Sequence, residues 1–252
     1  MDTTTKELRL AVLIDADNIS YTNIKGMMEE IATYGTPTFK RIYGDWTKPI
    51  LYGWKTVLLE NAITPVQQYS YTTGKNSSDS ALIIDAMDIL YTGRVDGFCI
   101  VSSDSDFTRL ATRLREAGMK VFGIGERKTP SAFIASCNKF IYVEILKAEE
   151  KNTPAKKIPV KSTPPKKAPP VAAIDKGLVK LIADSINDIA EEDGWVFLGV
   201  LGNLILKKQP DFDPRNYGYN KLIDLIKNIR EFEIDRRATG KNNVSHIFVR
   251  VK

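Results

Sequence analysis

Residues 8–15 have the sequence LRLAVLID, a continuous apolar stretch that ends in an acidic residue. A strand that is apolar at nearly every position is typical of a parallel sheet covered by helices on both faces. Five further strand-like runs follow, alternating with helix-like segments: TFKRIYGD (38–45), ITPVQQYSY (63–71), GFCIVSSD (97–104), KVFGIG (120–125) and KFIYVEI (139–145). Six strands that alternate with helices predict an α/β sandwich with a mostly parallel sheet.

Helix-like segments connect these runs. Apolar residues recur at helical spacing from Asn18 onward, and Pro49 suits the first turn of a helix that ends near Asn61. Three more helices are predicted over residues 77–93, over 106–118 and near 131–138. Ligands of such folds bind beyond the carboxyl ends of the strands, so functional side chains are expected at that edge.

Aspartates occur at this edge. Asp15 ends the first strand, Asp79 begins the third helix, and Asp104 and Asp106 follow the fourth strand. Because strand ends and the following helix starts share one rim of a parallel sheet, we expect these four carboxylates to converge. Clustered carboxylates repel one another unless a cation neutralises them, and an all-oxygen ligand set suits Mg²⁺ or Mn²⁺. The pattern therefore predicts metal-assisted hydrolysis of a phosphodiester.

Helix capping is the alternative explanation for each acid taken singly. Asp79 and Asp104 are favourable N-cap residues, and Asp17 suits an Asx-turn. Asp85 and Asp88 share one face of the third helix. They form either a solvated surface or, in the case of Asp85, a support for the acidic residues.

Composition narrows the chemistry further. The chain has a single histidine, His246, and two cysteines in apolar stretches. A single histidine excludes catalysis by a pair of histidines. The two cysteines provide neither a metal-ligand spacing nor a disulfide framework. The sequence has no secretory signal and no apolar run of the ~18 residues that span a bilayer, so we expect a cytoplasmic protein without membrane contact.

Three ordered motifs are distinctive in the first half of the chain: LIDADNI (13–19), GKNSSDSALIIDAMDIL (74–90) and IVSSDSDFTRLATRLREAGMKVFGIG (100–125). Over roughly residues 8–146 the chain resembles the NYN domain, a PIN-like family of metal-dependent nucleases. The resemblance implies an RNA-cleaving site. It also implies that the metal is held by Asp15, Asp79, Asp104 and Asp106, and that Asn18 supports the first acid or the scissile phosphate.

One position departs from the family pattern. Many family members have Ser-Gly-Asp where this chain has Ser102-Ser103-Asp104. Ser103 either tightens the backbone or limits the approach of a phosphate, but no acid is lost. Lys75 and Asn76, in the polar loop before the third helix, are candidate phosphate contacts, with a solvated turn as the alternative.

Residues 151–173 differ in composition from both flanking regions. They contain six lysines, six prolines and no acidic residue. Such a segment does not propagate a helix, has little to bury and repels itself, so we predict an extended tether. The tether is either a spacer alone or also attracts a polyanion. It separates a predicted domain over residues 1–150 from a second over residues 174–252.

The second domain is predicted to contain three helices and a terminal hairpin, FEIDRR (232–237) with SHIFVRV (245–251), in a winged-helix layout. The stretch at 195–226, above all FDPRNYGYNKL (212–222), resembles the OST-HTH or LOTUS domain. The resemblance implies an RNA-binding module, in some relatives for G-rich or quadruplex RNA, and in others a helicase-docking module. Candidate phosphate contacts, with solvated charges as the alternative, are Arg215, Lys221, Arg236, Arg237 and Lys241.

These observations favour a divalent-metal-dependent ribonuclease with a tethered RNA-binding domain. A non-catalytic RNA-binding scaffold with a vestigial acidic site is one alternative. A phosphatase or receiver-like phosphotransfer domain is another, although the sequence shows no clear lysine and hydroxyl pair at the strand ends. The oligomeric state, including a homo-oligomer, stays open.

Overall fold

The strand β1 (Arg9–Asp15) lies near the centre of a six-stranded sheet. Every residue from Leu10 to Asp15 is buried, which explains the uninterrupted apolar pattern of this stretch. The computed structural model describes residues 7–69, 77–146, 172–238 and 245–252. The other strands of the sheet are β2 (Thr36–Gly44), β3 (Thr64–Gln67), β4 (Gly97–Val101), β5 (Lys120–Gly125) and β6 (Lys139–Tyr142).

All five strand pairings in this sheet are parallel, in the order β3-β2-β1-β4-β5-β6. The predicted α/β sandwich is confirmed, and the sheet is parallel throughout its described strands. The helices that cover it are α1 (Ile24–Ala32), α2 (Trp54–Glu60), α3 (Ser77–Tyr91), α4 (Thr108–Glu116), α5 (Ser131–Ser136) and α6 (Val143–Leu146).

Two apolar clusters fill the space between the sheet and its helices. Residues of α1, α2 and α6 pack on one face, where Val12 and Ile14 of β1 point. Residues of α3, α4 and α5 pack on the other face, where Ala11 and Leu13 point. The alternation along β1 follows from the two-residue period of a strand, and it buries both faces.

Several element boundaries differ from the predictions; β3, for example, ends at Gln67 and β4 at Val101, both earlier than predicted. The helix predicted from Asn18 begins later, because a 3-10 turn at Tyr21–Asn23 precedes α1. The helix predicted from Pro49 is divided into a 3-10 turn, Pro49–Leu51, and α2. The last strand was expected to reach Ile145 but ends at Tyr142, because its partner β5 ends opposite it; the chain then continues as α6.

The second unit forms a small α+β structure. Its helices and strands are α7 (Lys176–Asn187), β7 (Val196–Phe197), α8 (Leu198–Lys208), α9 (Leu222–Lys227), β8 (Phe232–Ala238) and β9 (Ser245–Val251). The strands pair antiparallel in the order β7-β9-β8. The three helices and the β8-β9 hairpin agree with the predicted layout. β7 was not predicted, since two residues are too few to show a strand period.

The chain divides into two compact units, residues 1–158 and 159–252. The predicted boundaries at 150 and 174 and the extended tether stay predictions, because residues 147–171 lie outside the described ranges. Cys99 and Cys137 are buried free thiols. Within the described ranges, no helix combines the length and the apolar character needed to cross a bilayer.

Candidate metal centre

The strand order reverses direction between β1 and β4. From β1 the sheet continues to β2 and β3, and from β4 it continues to β5 and β6. The segments that leave β1 and β4 therefore turn to opposite faces and leave a crevice at the carboxyl ends of these two strands. Asp15 is the last residue of β1 and Ser102 follows directly after β4, so both lie at this crevice.

The carboxylate of Asp15 is buried at the crevice, with 1% of the residue exposed. Its Oδ2 accepts hydrogen bonds from Asn18 Nδ2 at 2.6 Å and from Ser102 Oγ at 2.8 Å. Its Oδ1 accepts one from the backbone amide of Asp17 at 3.1 Å. Burial raises the pKa of Asp15, while the three donors oppose that effect by favouring the charged form. These bonds hold the carboxylate in one orientation.

Asp79, Asp104 and Asp106, the acidic cluster, come together beside Asp15. One carboxylate oxygen of each residue lies within 4.8 Å of those of the other two. Asp79 is in the first turn of α3, Asp104 caps the 3-10 turn that follows β4, and Asp106 is inside that turn. The fold thus brings three of the four predicted acids together, with the fourth close by.

The electrostatics of the acidic cluster centre on Asp79. Burial and, after it, the negative charges of Asp15, Asp104, Asp106 and Asp17 together raise the pKa of Asp79 to about 7. In the described part of the chain, no lysine or arginine forms an ion pair with Asp79 or Asp104. A bound cation would relieve this repulsion and lower the pKa of Asp79.

The donor set fits a small divalent cation. Carboxylate oxygens are preferred ligands of Mg²⁺ and Mn²⁺. Oxygens that bind one octahedral Mg²⁺ lie about 3.0 Å apart when adjacent and about 4.2 Å apart when opposite, because each bond is roughly 2.1 Å long. The three oxygens of the acidic cluster lie within 4.8 Å of one another, so they would move inward to bind one ion. Asp79 is buried and Asp106 exposed, so the cluster extends from the interior to solvent.

The capping alternative also has support. Oδ1 of Asp104 accepts a hydrogen bond from the backbone amide of Asp106 at 3.0 Å, which is an N-cap contact. Oδ2 of Asp17 accepts one from Ser78 Oγ at 3.1 Å, which links the loop after β1 to the start of α3. Capping occupies one oxygen of Asp104. It does not explain why Asp79 is buried among other acids.

Two serines at the crevice have roles that the sequence did not reveal. Ser102 is fully buried; its Oγ donates to Asp15 and accepts a hydrogen bond from the backbone amide of Asp104 at 3.1 Å. Ser103, the departure from the family pattern, accepts a hydrogen bond at its Oγ from the backbone amide of Glu126 at 2.8 Å. Ser103 therefore ties the end of β4 to the end of β5, in line with a tighter backbone.

Asp85 is not part of a solvated face, and its hydrogen bonds in the described part of the chain go to β2 rather than to the acidic cluster. Its carboxylate accepts hydrogen bonds from the guanidinium of Arg41 and the hydroxyl of Tyr43, both on β2. This contact fastens α3 to the sheet. Asp88, by contrast, is exposed, as the solvated interpretation predicts. Only the packing of α3 on β2 distinguishes these two aspartates.

The predicted nucleic-acid contacts fall into three groups. Lys75, Asn76 and Lys241 lie outside the described residues. Lys221 and Arg236 are exposed. The remaining two arginines are engaged by carboxylates, since Arg215 binds Asp213 and Arg237 binds Asp235 and Asp193. All seven assignments stay predictions.

Two family models match the chain. The model described as the NYN domain matches residues 9–146, and the model described as the OST-HTH/LOTUS domain matches residues 170–244. The first match extends over more than half of the 252 residues. Both resemblances inferred from the motifs are thereby confirmed.

The solved structures that match this chain include two of unassigned function. A crystal structure of a protein of unknown function from Vibrio parahaemolyticus is 21% identical, with a TM-score of 0.45, and the match covers 54% of this chain and 93% of that one. A solution NMR structure of an uncharacterized protein from Nitrosomonas europaea is 29% identical, with a TM-score of 0.31, covering 39% and 92%. Comparison with curated proteins gave no match.

Proposed function

The chain belongs to the NYN domain family, and we propose that it is a divalent-metal-dependent ribonuclease whose C-terminal OST-HTH/LOTUS domain recruits RNA. The observation that supports this most directly is the meeting of Asp79, Asp104 and Asp106 within 4.8 Å. They meet where the order of a parallel sheet reverses, which is the usual ligand site of such folds. The PIN-like nuclease superfamily, to which NYN domains belong, makes cleavage of a nucleic acid the expected chemistry.

The proposed roles follow from burial and hydrogen bonding. Asp79, Asp104 and Asp106 bind Mg²⁺ or Mn²⁺, and Asp15 is the fourth carboxylate of the site. Such an ion, when bound, polarises a phosphoryl oxygen and lowers the pKa of a water molecule. Asn18 fixes the orientation of Asp15 through the bond from its side-chain amide. Asp15 is buried beside the acidic cluster, and its negative charge favours the binding of a cation there.

The second unit contributes affinity for the substrate in this proposal. Its OST-HTH/LOTUS match suggests RNA binding. A Lys/Pro-rich tether over residues 151–173 would raise the local concentration of bound RNA at the acidic site without new contacts. Preference for G-rich or structured RNA, docking of a helicase and a cytoplasmic location stay predictions.

The test is cleavage of labelled single-stranded RNA by the full chain, with and without Mn²⁺ or Mg²⁺, beside the variant Asp104→Asn. Asparagine preserves the cap contact, because its side-chain oxygen also accepts a backbone hydrogen bond. It lacks the charge that binds the cation. We expect cleavage to require the cation and to fall by more than the about 10- to 100-fold typical for loss of a supporting residue near a metal.

Asp88→Asn is the matched control, because it removes the same charge from an exposed position on α3. It should cleave like the wild type. DNA of the same sequence, run in parallel, determines whether the substrate is RNA alone. Cleavage by Asp104→Asn at the wild-type rate, or a wild-type rate in excess chelator, would contradict the proposal.

The second candidate is an RNA-binding scaffold without catalysis. It is favoured by the cap contact of Asp104, which gives that residue a purely structural use. It predicts RNA binding by the wild type and by Asp104→Asn alike, with no cation-dependent product from either. The cleavage test above therefore separates the two candidates.

A further inference from the structure

Two depressions adjoin one another on the β2 side of the acidic site. The first, about 380 Å³, is lined by residues that include Asp17 and Asn18. The second, about 570 Å³, is lined by Trp46, Leu51, Tyr52, Lys55, Leu58 and Pro65. Leu51 lines both, so the two form one surface feature, which we call the α2 groove. Each has the volume of an ordinary small-molecule site.

The α2 groove is continuous with the acidic site through the loop after β1. Asn18, in the wall of the first depression, donates its side-chain amide to Asp15. Asp17, in the same wall, accepts a hydrogen bond from Ser78, the residue before Asp79. A strand of nucleic acid with one phosphate at the acidic cluster therefore has this groove directly beside it.

Two aromatic residues, Trp46 and Tyr52, line the second depression. The indole Nε1 of Trp46 donates to the backbone oxygen of Val66 at 3.0 Å, and the Trp46 backbone amide donates to Gln67 Oε1 at 3.0 Å. These bonds anchor the partly buried Trp46 against the edge strand β3. Tyr52 is 64% exposed. An exposed ring that shares a depression with an anchored indole offers a surface on which flat apolar groups can stack.

The second depression contains a cation for a phosphate of the nucleic-acid backbone. Lys55 is exposed and, within the described ranges, forms no ion pair. It lies on α2 and lines the second depression together with Trp46 and Tyr52. Lys128 lines the first depression, where its Nζ is 3.0 Å from Glu126. A cation beside aromatic rings matches a nucleotide, which offers a phosphate and a flat base together.

We propose that the α2 groove binds unpaired nucleotides on one side of the scissile phosphate, with bases against Trp46 and Tyr52 and a phosphate at Lys55. The inference rests on the proposed ribonuclease activity and specifies its substrate as single-stranded RNA next to the cut. Bases within a duplex stack on their neighbours and do not expose their faces, so a paired strand would not use these rings.

The first experiment measures binding without cleavage. The full chain is irradiated in excess chelator with a single-stranded RNA that contains 4-thiouridine, and cross-linked peptides are identified by mass spectrometry. We expect cross-links in the segment from Trp46 to Lys55. A fully paired RNA of the same sequence should not cross-link there. Cross-links confined to other segments would overturn the inference, even if the protein cleaves RNA.

The second experiment measures cleavage by Tyr52→Ala and Lys55→Gln. Tyr52→Ala removes the ring on which one base stacks, so its KM for single-stranded RNA should rise at least about fivefold, with kcat within twofold. Lys55→Gln removes one phosphate contact, so its KM should rise as well. Matched controls are Tyr91→Ala, at the far end of α3 and 74% exposed, and Lys120→Gln, exposed at the start of β5. Equal KM values for Tyr52→Ala and Tyr91→Ala would refute the groove.

The two experiments separate this inference from the ribonuclease proposal. Cross-links at the α2 groove without any cation-dependent cleavage would support the groove as an RNA site and reject catalysis. Cleavage with unchanged KM in both groove variants would support catalysis and reject the groove. If an apolar protein segment occupies the groove instead of RNA, no RNA cross-links are expected at Tyr52. That outcome also rejects the inference.

Discussion

Asp79 in the first unit and Asp213 in the second are both buried aspartates near the start of a helical turn, but their surroundings differ. Asp213 caps the 3-10 turn Pro214–Tyr217, and both of its oxygens accept hydrogen bonds from the guanidinium of Arg215, at 3.0 and 2.8 Å. Asp79 is buried among other carboxylates, and its burial together with their charges raises its pKa to about 7. In the second unit, the buried aspartate is thus neutralised by an arginine. In the first unit, Asp79 has no such ion pair within the described residues.

The difference separates a structural charge from a functional one. A buried carboxylate with a bidentate arginine needs nothing from outside the protein. A buried carboxylate among like charges raises the free energy of the folded state, unless a proton or a cation binds. Strong like-charge perturbation in a crevice is typical of a binding or catalytic site. The comparison therefore points to the first unit as the place where an external ligand is required.

The largest expected effect is a gain of stability on neutralising Asp79. A carboxyl group with a pKa of about 7 in the folded state and about 3.8 in the unfolded state stabilises the fold fully below pH 4. That contribution is lost as the pH rises through 7. Asp79→Asn should therefore stabilise the cation-free protein at pH 8 by about 2–4 kcal/mol, and hardly at pH 4.

Thermal unfolding of the full chain in chelator at pH 4, 6 and 8 measures this effect. Asp88→Asn is the control, because Asp88 is exposed, and it should leave the pH profile unchanged. A loss of stability at pH 8 in Asp79→Asn would show that Asp79 is a structural charge like Asp213, and the comparison would fail.

The second expected effect concerns the support of Asp15. Ser102→Ala removes the Oγ that donates to Asp15 and accepts the backbone amide of Asp104. Loss of such a supporting contact typically costs about 10- to 100-fold in metal affinity. We expect the Mn²⁺ dissociation constant, measured by isothermal titration calorimetry, to rise by that factor.

Ser103→Gly is the matched variant for this measurement. In the described structure, Ser103 contacts the backbone amide of Glu126 rather than an aspartate side chain. Its Mn²⁺ affinity should stay within about threefold of the wild type, well below the change expected at a supporting residue. Equal losses in the Ser102 and Ser103 variants would indicate a general disturbance of the β4 end.

The smallest expected effect is in the second unit. Arg215→Gln removes the partner of buried Asp213 and leaves the carboxylate with its backbone donor, the amide of residue 215. We expect a loss of about 1–2 kcal/mol in unfolding free energy near pH 7, because a buried charge loses its neutralising hydrogen bonds. Urea unfolding followed by circular dichroism measures it. A variant as stable as the wild type would remove the contrast between Asp213 and Asp79.

Much of the fold was predictable because its determinants are local. The apolar run of β1, and the alternation of strand-like runs with helix-like segments, predicted a buried parallel sheet. The structure contains such a sheet. The boundaries were less accurate where a neighbouring element decides them. β6 stops at Tyr142 because β5 ends beside it, and no pattern within residues 139–145 shows where the partner strand ends.

By itself, the sequence determined the order of strands and helices, the family of both domains and the placement of acids after strands, because periodicity and motif spacing are properties of neighbouring residues. Tertiary structure alone decided which side chains meet. It pairs Asp85 with Arg41 and Tyr43, and it places Ser102, which follows β4, in hydrogen-bond contact with Asp15. The sequence had predicted that the acids converge, and the structure adds that Asp79, Asp104 and Asp106 are the three whose oxygens lie within 4.8 Å of one another. Those contacts depend on strand order and register, which bring together residues that are distant in the chain.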